Sequence, residues 1–105
     1  GLLPWSGVWG AGPDFRSEIA PLLAKRCLSC HAGESPAGGL SLTTEAFAQR
    51  GGESGPALDA AQPLDSALWR RIEAAEMPPE EPLSAEERAL IQAWLEAGAS
   101  WTETI

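Results

Sequence analysis

The sequence Cys27-Leu28-Ser29-Cys30-His31 decides how the rest of the chain is interpreted. Two thiols stand with two residues between them, and an imidazole follows the second thiol directly. This motif uses both cysteines and the only histidine of the 105 residues. A disulfide between the two cysteines would be too local to join distant parts of a fold.

This spacing is typical of covalent haem attachment. The two thiols can form thioether bonds to the two vinyl groups of haem, and the next residue places an imidazole at the iron. We therefore expect one haem c, with its iron, at Cys27, Cys30 and His31. Three alternatives use the same residues. They are a thioredoxin-like dithiol, which needs a preceding strand that the sequence does not show, a zinc site, which needs a fourth ligand, and a disulfide.

A second iron ligand can be sought by elimination, because His31, Met77 and Lys25 are each the only residue of their kind. Ligation by two histidines is therefore impossible within one chain. Lys25 is only two residues from Cys27, so we expect it to stay on the side of the haem that His31 occupies. Met77 is followed by Pro78-Pro79, which restrict the backbone. We expect Met77 to bind the iron; the alternative is that it fills a gap in the core and leaves the iron an open position.

Apolar periodicity predicts a first helix that begins after Asp14, is bent or restarted at Pro21, and ends at the cysteine motif. A short helix follows Thr43 or Thr44 and stops at Gly51-Gly52.

A third helix follows Asp65 or Ser66 and ends before the two prolines. The last helix begins at a capping box, Ser84 to Glu87, and ends at Gly98. No alternating run predicts a sheet. The expected fold is all-α, with about four helices and long loops wrapped around one covalent haem, over residues 14–105. Residues 1–13, with Trp5 and Trp9, form an arm or linker.

Charge and hydropathy restrict the partners of the chain. Fifteen acidic and seven basic residues give a net charge of −8, which argues against nucleic acid as a partner. The acidity is explained by a solvated, soluble surface, and the alternative is that it steers the chain toward a basic redox partner. No apolar run approaches the ~20 residues that span a bilayer, and no segment resembles a signal peptide. We therefore expect a mature chain, or a piece of a larger protein, with no membrane span.

The ordered motifs resemble the class I, monohaem cytochrome c fold, and within it the planctomycete-type cytochrome c domain. The resemblance covers nearly everything after residue 13. The segments that carry it are Phe15 with Ile19-Ala20-Pro21-Leu22-Leu23, then Cys27 to His31, Gly38 to Leu42, Gly51-Gly52, Ser66-Ala67-Leu68, Arg70-Arg71-Ile72, Met77-Pro78-Pro79, Leu83-Ser84, Ile91 to Leu95 and Gly98-Ala99.

The resemblance implies that Cys27 and Cys30 bind the haem, that His31 is the proximal ligand and Met77 the distal one. It also implies a periplasmic or otherwise exported protein, since haem c is attached after export, and a domain that often belongs to a larger protein. Further haem contacts are expected from several positions. Leu40, Leu42 and Leu68 would form the pocket wall, Arg71 is favoured over Arg50 and Arg70 as a propionate donor, and Trp69 would donate its indole N–H or simply pack.

The expected function is single-electron transfer by a carrier or by a domain of a larger redox protein, without catalysis by the chain itself. One alternative is a haem-based ligand-binding or peroxidase-like domain with an open sixth position. Another is a redox-inert interaction module that docks a larger enzyme. Glu76, Glu80 and Glu81 flank Met77 and form a candidate docking rim for a basic partner.

Overall fold

The computed structural model of the protein describes residues 12–28, 30–33, 36–79 and 81–105. Most of the predicted arm, including Trp5 and Trp9, lies outside the described residues. Four α-helices confirm the predicted all-α class: α1 (Ala20–Arg26), α2 (Glu45–Arg50), α3 (Ala67–Glu73) and α4 (Ala85–Glu96). Short 3-10 turns occur at Ala37–Gly39 and Pro63–Asp65.

The first helical segment begins where the sequence predicts. The Asp14 carboxylate accepts a hydrogen bond from the Ser17 N–H at 3.0 Å, which satisfies one of the free donors of a helix start. The chain first makes a π-helical turn, Phe15–Ile19, and then continues as α1 with Pro21 in its first turn. The fixed φ of proline is compatible with a helix at this position.

Side-chain caps also fix the start of α2 and α4. The Thr44 hydroxyl accepts from the Phe47 N–H at 3.1 Å, and Ser84 and Glu87 form the predicted capping box. The start of α3 differs from the prediction in one respect. Ser66 occupies the capping position, but its hydroxyl accepts from the Asp59 N–H at 2.8 Å and makes no bond within the helix.

The core lies between α4 and the start of the first helical segment, where three aromatic rings meet. The centroids of Phe15, Trp94 and Trp101 are 5.1 to 5.9 Å apart. Trp94 is 1% exposed and packs in the core, and its indole N–H donates to the Ser100 carbonyl at 2.9 Å. The buried apolar residues of the described chain are Phe15, Ile19, Ala20, Leu23, Leu42, Ala48, Ala57, Leu58, Trp69, Ile72, Ile91, Trp94, Leu95 and Ala99.

The described residues contain no β-strand. Their only β-type pairing is one isolated antiparallel bridge between Gly52 and Gly55. Among these residues, no helix has both the length and the apolar character that a membrane crossing needs.

Candidate functional site

A cavity of about 450 Å³ lies beside the end of α1. Its walls come from the cysteine motif, the loop before α2, the loop after α2, one face of α3 and the segment that contains Met77. Eight of the nine residues predicted for the site line this cavity: Cys27, Cys30, His31, Leu40, Leu42, Leu68, Arg71 and Met77. Residues far apart in sequence thus meet around one space.

Trp69 is the predicted site residue that does not line the cavity. Leu68, Arg71 and Ile72 face the cavity from α3, as expected for residues three and four positions apart on one helix face. Trp69 lies about 100° further around the helix. It is 6% exposed and belongs to the core.

The cysteine motif continues from α1 through backbone hydrogen bonds. The Cys27 N–H donates to the Leu23 carbonyl at 2.8 Å, and the His31 N–H donates to the Cys27 carbonyl at 2.9 Å. The Cys30 N–H also points to the Cys27 carbonyl, at 3.2 Å. Backbone hydrogen bonds therefore connect the described residues of the motif to the end of α1, and it is α1 that leads into the motif.

His31 is oriented by its second ring nitrogen. Its Nδ1 lies 3.2 Å from the carbonyl oxygen of Leu40, and its own carbonyl accepts from the Leu42 N–H at 2.8 Å. When Nδ1 carries the proton, it donates to Leu40 and leaves Nε2 free to bind a metal. Metal-binding imidazoles are commonly held in this way by a backbone carbonyl.

The two thiols differ in their surroundings. Cys27 is half-buried, and burial raises the pKa of its thiol to about 11, against the opposing effect of the Arg26 charge. Cys30 is exposed. A thioredoxin-like dithiol needs a thiol whose pKa is lowered, so the environment of Cys27 disfavours that alternative.

Met77 is held by the end of α3. Ala75, with φ of 60°, reverses the chain after the helix, and its N–H donates to the Ile72 carbonyl at 3.0 Å. The N–H groups of Glu76 and Met77 both donate to the Arg71 carbonyl, at 2.8 and 3.2 Å. These bonds fix the backbone of Met77 at the cavity wall.

Gly52 brings the loops before and after α2 together, and Gly51 allows the loop after α2 to close on itself. A Cβ atom on Gly52 would lie 2.3 Å from the Gly38 carbonyl oxygen, and one on Gly51 would lie 1.9 Å from that of Gly55. The same Gly38 carbonyl accepts from the Glu53 N–H at 2.8 Å. The glycines therefore allow close approach of backbone to backbone, on the side of the cavity that Gly38 and Gly52 line.

The three arginines considered as propionate donors differ in their position relative to the cavity. Arg71 lines the cavity, whereas Arg70 does not. Arg50 lies over the Phe47 ring at 4.7 Å and lines a different cavity. The other charged lining residues are Lys25, Arg26, Glu53 and Glu81.

Arg26 is a site residue that the sequence interpretation missed. It lines the cavity, its side chain is only 15% exposed, and it bonds to the segment that follows Met77. Its position directly before Cys27 is the one sequence signal that could have drawn attention to it.

The donor set fits a covalently attached haem. Leucine side chains supply apolar walls, two thiols and one imidazole come from Cys27, Cys30 and His31, and one thioether comes from the separate segment that contains Met77. The hydrogen bond between His31 and Leu40 orients the imidazole as an iron ligand requires.

Comparison with known proteins relates the chain to a family. No curated protein and no solved structure matches the chain. A family model described as planctomycete cytochrome C matches residues 27–81, just over half of the chain. The match begins at the first cysteine of the motif and extends past Met77, so it contains every residue that the fold brings to the cavity as a candidate haem ligand. The chain belongs to the planctomycete cytochrome C family.

Proposed function

We propose that the chain transfers single electrons through one haem attached to Cys27 and Cys30, with His31 and Met77 as the axial ligands of the iron. Membership of a cytochrome c family implies haem-based electron transfer in general. The observation that carries the more detailed proposal is the cavity itself. It is lined by both cysteines, the only histidine and the only methionine of the chain.

Each ligand has a defined task in this proposal. Cys27 and Cys30 would hold the haem through thioether bonds from their sulfur atoms to its two vinyl groups. His31 would bind iron through Nε2 while its Nδ1–H donates to the Leu40 carbonyl. Met77 supplies its sulfur from a backbone fixed by the Arg71 carbonyl. The chemistry supplied by bound haem is the Fe(III)/Fe(II) couple.

The protein limits structural change during electron transfer. Both ligands are held by backbone hydrogen bonds that do not depend on the oxidation state of the iron. Leu40, Leu42 and Leu68 give the cavity apolar walls, which would limit the access of water to a bound haem, and solvent exposure is one of the factors that set a haem potential. Histidine with methionine favours a higher potential than two histidines would.

Two roles at the edge of the cavity belong to the same proposal. The Arg71 guanidinium can donate two hydrogen bonds to a propionate, and Glu76, 3.5 Å from it, is then its alternative partner. Trp69 acts by packing, which supports the wall that Leu68 presents to the cavity.

The cellular setting is also part of the proposal. Haem c is attached after export, so we place the chain in the periplasm or another exported location, as a carrier or as a domain of a larger redox protein. Its partner is a redox protein or a fused redox domain with a basic docking surface, to match the net charge of −8.

Visible absorption spectra of the full chain, produced in a host that attaches haem c, test the proposal. The haem should remain bound after denaturation and should be lost from the protein with Cys27→Ala and Cys30→Ala together. The oxidised protein should show the weak red band of sulfur ligation, and Met77→Leu, which conserves volume, should abolish it.

Haem that dissociates on denaturation would contradict covalent attachment. A spectrum unchanged in Met77→Leu would contradict the Met77 ligand and would favour a ligand-binding or peroxidase-like domain with an open sixth position. Reversible one-electron voltammetry without a change of ligand checks the carrier role itself.

A further inference from the structure

Arg26 connects three parts of the fold. It is the last residue of α1, and its Nη1 donates to the Glu87 carboxylate at 2.5 Å. Its Nη2 donates to the carbonyl oxygens of Glu81 and Pro82, at 2.5 and 3.3 Å. One guanidinium thus joins α1, the start of α4 and the chain that follows Met77.

The methionine segment, residues 77–79 and 81–82, is therefore held near both of its ends. At one end the Met77 N–H donates to the Arg71 carbonyl of α3. At the other end the Arg26 guanidinium donates hydrogen bonds to two successive carbonyl oxygens. Because Arg26 directly precedes Cys27, the helix that carries the first haem-attachment cysteine also holds the segment that carries the methionine.

Glu87 keeps the Arg26 side chain in this position. The Glu87 carboxylate also accepts from the Ser84 N–H at 2.9 Å, as part of the capping box of α4. The carboxylate is thus fixed by backbone before it meets the guanidinium. A planar guanidinium can bond to a carboxylate and to carbonyl oxygens at the same time, whereas a lysine ammonium acts as a point charge.

We propose that Arg26 is a positioning residue for Met77. It does not bind the iron; it limits the movement of the methionine segment, and this raises the fraction of time that the Met77 sulfur occupies the sixth position. The inference rests on the function proposed above. It adds a determinant of ligand retention that lies outside the iron ligands.

Competition with imidazole measures this effect in the oxidised full-length holoprotein. Free imidazole must displace Met77, so its apparent affinity falls with the fraction of iron that Met77 occupies. Arg26→Gln should bind imidazole about tenfold more tightly than the unmodified chain, which is the size expected for losing a charge-assisted hydrogen-bond set. The red band of sulfur ligation should weaken in parallel.

Arg16→Gln is the matched control. Arg16 also forms an arginine–glutamate pair, with Glu103 at 2.8 Å, but its side chain is 78% exposed and does not line the cavity. Its removal should leave the imidazole affinity and the red band unchanged. Arg26→Lys keeps the charge beside Glu87 without the full set of bonds, so its imidazole affinity should fall between those of Arg26→Gln and the unmodified chain.

The outcomes separate this inference from the proposed function. An unmodified chain that binds imidazole as tightly as Met77→Leu would overturn Met77 ligation and the role of Arg26 together. In the other case, the unmodified chain shows the red band and binds imidazole more weakly than Met77→Leu does. If Arg26→Gln then has the same red band and the same imidazole affinity as the unmodified chain, the role of Arg26 alone is overturned. If Arg26→Gln does not fold, Arg26→Lys provides the test. An imidazole affinity of Arg26→Lys equal to that of the unmodified chain would overturn the inference.

Discussion

The carbonyl oxygen of Gly38 occupies the space beside Gly52, where a Cβ atom would come within 2.3 Å of it. Both residues line the cavity, so the contact sets the separation of two of its walls. Gly52→Ala must push the loops apart or distort them. We expect it to lower the free energy of unfolding by about 1–3 kcal/mol, the usual cost of overpacking, as measured by denaturant titration.

Gly33→Ala provides the comparison for this substitution. A Cβ atom on Gly33 meets nothing within 4 Å, and its φ of 84° adds only local backbone strain. The loss of haem-pocket structure, read from the near-UV and visible circular dichroism, should therefore be confined to Gly52→Ala. Equal spectral changes in the two variants would contradict the contact.

Ala75 holds a left-handed conformation, φ of 60°, that costs an L-residue free energy. Glycine adopts it without this cost, so Ala75→Gly should raise the free energy of unfolding by about 0.5–1 kcal/mol after its larger unfolded-state entropy is counted. Ala74→Gly is the control, because φ at Ala74 is −81° and glycine gains nothing there. A loss of stability in Ala75→Gly as large as that in Ala74→Gly would refute the prediction.

The sequence predicted those parts of the fold that depend on local interactions. Asp14, Thr44 and Ser84 each cap a helix through an N–H three residues further along, so a short window of sequence contains the whole interaction. The cysteine motif is local in the same sense. Met77 was predicted as an iron ligand by counting, because the chain offers a single methionine; the residue lines the cavity, and its ligation stays a prediction.

Other parts could not be predicted because they depend on contacts across the fold. Arg26 bonds to groups 55 and 61 positions away, and a sequence without its fold does not show which of its arginines meets them. Ser66 likewise bonds back to Asp59 instead of capping its helix. For Trp69, periodicity defined the helix but left open which of its faces would meet the cavity.

Glu87 should make stability depend on pH. The Ser84 N–H bond, followed by the bond and charge of Arg26, holds the pKa of this carboxyl below its usual value in the folded protein. The unfolded chain then binds the proton more readily, so the stabilisation is complete above the ordinary glutamate pKa and is lost as pH falls through the lowered one. Unfolding titrations in this acid range should show a shallower pH dependence for Glu87→Gln.

Glu86→Gln is the control for this pH effect, since Glu86 is an exposed glutamate in the same helical turn. It removes one carboxylate without touching Arg26 or the capping box. The acid dependence of its stability should stay close to that of the unmodified chain. The same slope in Glu87→Gln as in Glu86→Gln would show that the Glu87 interactions do not stabilise the charged form.

The acidic residues in and next to the methionine segment should guide a basic redox partner. Glu81 lines the cavity and is exposed, and Glu76 is exposed beside Arg71; Glu80, predicted for the same rim, lies outside the described residues. Raising the ionic strength from about 0.01 to about 0.15 M shortens the screening length from about 30 to about 8 Å. We expect the rate of electron transfer with a basic redox protein to fall about tenfold or more over this range.

Docking of the partner at the mouth of the cavity can be distinguished from attraction by the net charge alone. Glu81→Gln should weaken the salt dependence more than Glu96→Gln, which removes the same charge from the end of α4, away from the cavity. An uncharged small-molecule oxidant should react at a rate that salt leaves unchanged. If the two variants respond equally to salt, the overall charge of −8 attracts the partner and the rim at Glu81 does not orient it.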